Sequence, residues 1–66
     1  MRGAVKFYDT VRGFGFIIPA DGSEDVFFHT SGIADNAKVR ENDMVSFDVV
    51  PGRGGRPKAI NVRIAD

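Results

Sequence analysis

The chain is made of short apolar runs, some alternating at every second position, broken by glycine, proline and aspartate clusters. That pattern favours strands over helices, because side chains alternate between the two faces of a strand. Residues 2–9 read as a first strand, followed by a turn at Val11-Arg12-Gly13. Phe14–Ile18 is a second run, closed by Pro19, and Ala20-Asp21-Gly22-Ser23 is the turn cluster of a hairpin. Asp25–His29 is a third run. Residues 30–43 are irregular and polar, with room within 34–43 for no more than a short turn of helix. Met44–Val50 alternates, with Met44, Ser46, Asp48 and Val50 on one face and Val45, Phe47 and Val49 on the other. Pro51–Pro57 is a loop. Lys58–Ile64 alternates again, with Ile60, Val62 and Ile64 on one side. Five short strands with turns between them predict a small all-β barrel or sandwich.

The chain has 66 residues, so a single domain over 1–66 is the expectation. A chain this short buries only about 60% of the surface its unfolded form exposes. It must do so without disulfides, because it has no cysteine, and that absence also removes thiolate metal sites and cysteine nucleophiles. One histidine, His29, cannot build a zinc cluster, so neither metal nor cofactor is implied. No apolar run approaches the roughly 20 residues of a membrane span, and a soluble cytoplasmic protein is expected.

Nine basic residues balance nine acidic ones, yet the distribution is uneven. Residues 21–48 carry Asp21, Glu24, Asp25, Asp35, Glu41, Asp43 and Asp48 against Lys38 and Arg40. Residues 51–64 carry Arg53, Arg56, Lys58 and Arg63 and no acid, and residues 1–20 carry Arg2, Lys6 and Arg12 against Asp9. If the two ends of the chain lie side by side, a neutral protein still presents a basic face.

The aromatic residues divide by the same period of two. The second run places Phe14, Phe16 and Ile18 on one face and Gly15 and Ile17 on the other. The third places Phe27 and His29 against Val26 and Phe28. Both faces of the hairpin are apolar, while so small a domain has one core. The face with His29 is assigned to the outside. The face with Gly15 goes to the inside, where a missing side chain permits close packing.

Exposed Phe14, Phe16, Phe27 and His29, bordered by Lys6, Arg12, Arg56 and Lys58, suit unpaired nucleic acid. Bases of a single strand stack on aromatic rings, at about 1–3 kcal/mol per base, and cations contact the phosphates. Phe7 and Tyr8 extend this platform from the first strand. Glu24-Asp25 reads as a solvated turn, or alternatively Asp25 accepts a hydrogen bond from a base edge. Arg53-Gly54-Gly55 reads as a flexible hairpin loop. Gly13-Phe14-Gly15 has two glycines of a dinucleotide fingerprint, but Ile18 stands at the third position and no helix follows.

Arg12-Gly13-Phe14-Gly15-Phe16-Ile17 resembles the first ribonucleoprotein motif, and Val26-Phe27-Phe28-His29 resembles the second as cold-shock proteins carry it. Their order and spacing, with the opening Gly3–Lys6, Val45–Phe47 and the closing Pro57–Val62, resemble a bacterial cold-shock domain over essentially the whole chain. The resemblance implies a five-stranded antiparallel OB-fold barrel. It carries the family's binding roles onto Lys6, Phe14, Phe16, Phe27 and His29. Phe7 stands where the family usually has Trp, and Thr30 where an aromatic often follows the motif histidine. The 34–43 loop is short, and Arg56 interrupts the usual Gly-Pro of the last loop. These departures imply a shorter footprint or weaker binding than a typical member has.

The function expected is binding of single-stranded RNA and single-stranded DNA with low sequence specificity, as an RNA chaperone, by a monomer. A protein-interaction or dimerisation module using the same aromatic face is the alternative. An enzyme is not expected, because His29 on a flat aromatic surface has no nucleophile and no pocket.

Overall fold

The computed structural model describes residues 1–65. Five strands, β1 (Arg2–Asp9), β2 (Phe14–Pro19), β3 (Val26–His29), β4 (Met44–Pro51) and β5 (Pro57–Ile64), close into a barrel in the order β1-β2-β3-β5-β4. The expected all-β, five-stranded barrel is what forms. One pairing departs from the antiparallel expectation: β3 and β5 run parallel, with Phe27 beside Lys58 and Phe28 beside Ala59. The long segment between β3 and β4 reverses the chain and makes this closure possible. It contains two short 3-10 turns, Thr30–Gly32 and Ala34–Asn36, and contributes Val39 to the core.

The core holds Val5, Ile17, Val26, Phe28, Val39, Val45, Phe47, Ala59 and Val62. Gly15 belongs to this interior, as expected. A Cβ there would lie 2.7 Å from the Phe28 ring and would also strike the Phe7 carbonyl oxygen. The outward assignment of the other hairpin face holds as well, down to Ile18, which is 44% exposed.

Two bulges change the alternation. In β1, Val5 pairs with Ile17 and Phe7 with Phe16, so Lys6 is the extra residue and both Lys6 and Phe7 face outward. In β5, Asn61 and Val62 oppose the single residue Phe47 of β4, and Asn61 adopts a left-handed backbone (φ 54°). Asparagine tolerates that conformation better than most residues, and its side-chain amide donates to Asp48 at 3.0 Å. The bulge corrects the expected face of β5. Ala59 and Val62 point inward, Ile60 is half-buried and Ile64 is exposed. Val49, which alternation places on one face with the buried Val45 and Phe47, is 41% exposed.

The β1–β2 turn is held by Asp9, whose carboxylate accepts from the backbone N–H groups of Val11 and Arg12, both at 3.0 Å. In the β2–β3 loop, Asp21 accepts from the Ser23 hydroxyl and from its backbone N–H, and these bonds hold its carboxyl below the usual range.

Candidate nucleic-acid interface

The hairpin register sets the outer face. Phe14 pairs with His29 and Phe16 with Phe27, so four predicted site residues form two adjacent cross-strand pairs. Phe27 lies 6.1 Å from Phe14, nearly parallel at 24°, and 5.9 Å from Phe16, edge to face. Phe14 and Phe16 are 6.4 Å apart. Phe7, turned outward by the bulge at Lys6, joins them 6.0 Å from Phe14. The result is a contiguous patch of four rings that shield one another's edges and leave apolar surface in water. His29 is exposed at its margin. Its Nδ1 accepts from the Ser31 backbone N–H at 3.1 Å and lies 2.9 Å from the Ser31 hydroxyl, which fixes the ring.

Tyr8 is a correction. It was expected to extend the platform with Phe7, but it faces the interior and packs on Phe28 at 5.2 Å. Past the bulge the strand resumes its alternation, so Phe7 and Tyr8 cannot share a face. Tyr8 pairs with Gly15, and the missing side chain there lets Phe28 come close beneath.

The cations are distributed around the rings. Arg12 is exposed in the β1–β2 turn, its Nε 4.0 Å from Asp9. Lys6 bonds Asp25 at 2.9 Å, linking β1 to the start of β3 across β2. Lys58 lies beside Phe27 in the parallel pair, and Arg56 precedes it in the β4–β5 loop.

The parallel pairing has a further effect. The loops that lead into β3 and β5 emerge at the same end of the sheet. An open groove of about 820 Å³ lies between them. Phe16 and Phe27 belong to its lining, Glu24 and Asp25 come from the β2–β3 loop, and Arg53, Arg56 and Lys58 from the other side. By sequence Glu24 belongs to a solvated turn and Arg53 to a flexible loop. Only the β3–β5 pairing brings these segments together, and nothing in their local sequence announces it.

A sequence model described as the "Cold-shock" DNA-binding domain matches residues 1–65. The chain belongs to the cold-shock domain family. Cold shock-like protein CspB of Yersinia pestis is 48% identical over 64 residues, covering 94% of this chain and 90% of that protein. Cold shock domain-containing protein 4 of Arabidopsis thaliana is 46% identical over 63 residues, covering 92% of this chain and 31% of its own. The chain thus spans about a third of the length of that plant relative. In three dimensions the drosophila Unr CSD456 chain matches with a TM-score of 0.81 at 26% identity, over 98% of this chain and 26% of that one. Cold-shock domains are nucleic-acid-binding domains, and the barrel with its outward aromatic hairpin is in keeping with that membership.

Proposed function

We propose that this cold-shock domain binds unpaired RNA and single-stranded DNA by stacking bases on Phe7, Phe14, Phe16 and Phe27. His29 flanks the stack, and Lys6, Arg12, Arg56 and Lys58 contact phosphates. The observation that carries this reading is the four-ring patch. Rings left half in water give a small domain only part of the stabilisation that full burial would, whereas a stacked base covers them. Duplex DNA hides its base faces, so the patch distinguishes open strands from paired ones. A protein that binds only the open strand shifts the equilibrium away from hairpins by mass action, without ATP and without chemical turnover. That is an RNA-chaperone activity.

The test is anisotropy of a labelled seven-base oligothymidine titrated with protein, beside the matching duplex. Saturable binding to the single strand with little to the duplex is expected. Equal binding to both, or none, overturns the reading.

A further inference from the structure

The groove at the end of the platform is chemically lopsided, and its lining carries more information than a stacking surface needs. Phe16 and Phe27 give a base an aromatic surface to lie on. Arg53 and Arg56 offer positive charge on the side of the β4–β5 loop. Glu24 offers a carboxylate on the side of the β2–β3 loop. Asp25 is engaged by Lys6, whereas Glu24 has neither hydrogen bond nor ion pair among the described residues. A carboxylate is a poor neighbour for a phosphate chain, so its place beside an open groove with an aromatic wall calls for a donor.

The four bases differ in what they show a carboxylate, which accepts and never donates when ionised. Guanine presents N1–H and the N2 amino group side by side, two parallel donors matched to two carboxylate oxygens. Cytosine and adenine present one amino group each. Uracil and thymine present one N–H between two carbonyl oxygens that repel the carboxylate. The geometry points to guanine selection at this groove. Glu24 accepts from N1–H and N2–H, the ring lies on Phe16 and Phe27, and the adjoining phosphates lie toward Arg53 and Arg56. This rests on the single-strand reading and adds one base-selective position to an otherwise sequence-tolerant surface.

The probes are labelled seven-base oligouridine and the same oligomer with a central guanosine, inosine, adenosine or cytidine. Guanosine is expected to bind about fivefold tighter than uridine, the low end of what a bidentate base contact gives, because the groove is open. Inosine, which lacks the N2 amino group, should lose most of that gain. In Glu24→Gln the guanosine preference should vanish while oligouridine binds at least as tightly as before, since a charge repelling phosphate is gone. Equal binding of all five oligomers overturns the inference and leaves single-strand binding standing. A guanosine preference that survives Glu24→Gln overturns the assignment to Glu24. Binding of none of them removes both the inference and the reading beneath it.

Discussion

The two faces of the β2–β3 hairpin contain nearly the same chemistry and serve opposite ends. Phe28 and Ile17 on the inner face are fully buried. Phe14, Phe16 and Phe27 on the outer face are half-buried, with ring centroids 5.9, 6.1 and 6.4 Å apart. A fully buried phenylalanine contributes about 1.5–3 kcal/mol through the apolar area it removes from water. The outer rings realise only part of that in the free protein. What remains is available to a ligand, and adjacent residues of one strand are therefore committed to folding and to binding in alternation.

The largest effect that tests this contrast is Phe28→Ala. Emptying the barrel centre should cost about 3–5 kcal/mol. A 66-residue chain has roughly 3–10 kcal/mol of stability in all, so the variant loses a large share of it and should melt far below the parent. Phe27→Ala, one residue away, should still melt cooperatively close to the parent. Equal melting of the two would break the comparison. Gly15→Ala attacks the inner face from the other direction, by forcing a methyl group into the Phe28 ring and the Phe7 carbonyl. It should destabilise by about 1–3 kcal/mol in chemical denaturation. An unchanged midpoint would mean that the interior is looser than the packing around Gly15 implies. On the outer face, Phe14→Ala and Phe16→Ala should each weaken oligonucleotide binding by about 1–3 kcal/mol. Their melting should shift far less than that of Phe28→Ala. A pair of variants that unfold instead of losing affinity would transfer these rings to the core.

Much of this contrast is legible in the sequence, because a period of two needs no tertiary information. It separates Phe14 and Phe16 from Ile17, and Phe27 from Phe28, and the glycine at 15 tells which set is inside. The reading fails where the period itself is interrupted. Lys6 and Asn61 are extra residues in their strands; no local signal marks Lys6, and only asparagine's tolerance of a left-handed backbone marks Asn61. Tyr8, Ile60 and Ile64 therefore land on faces the alternation did not assign. Pairing between distant segments is equally silent. The acidic β2–β3 loop and the basic β4–β5 loop meet only because β3 and β5 run parallel, a consequence of the whole chain path.

The smallest expected effect separates two cations of the outer face. Lys6 is held by Asp25 at 2.9 Å, while Arg56 has no such partner among the described residues. Each phosphate contact to a single strand contributes roughly −0.7 to the slope of log affinity against log salt, and three or four contacts give about −2 to −3. Arg56→Ala should make the slope shallower by about 0.7, alike for every sequence tested. Lys6→Gln should change it less, because Lys6 must give up one anion to take another and brings Asp25 near the strand unpaired. An exposed ion pair is worth only about 0.2–1 kcal/mol, so this difference will be small. Equal changes would mean that the Lys6–Asp25 pair opens freely when nucleic acid arrives. No change for either would take Lys6 and Arg56 out of the phosphate contacts and leave Arg12 and Lys58 to supply them.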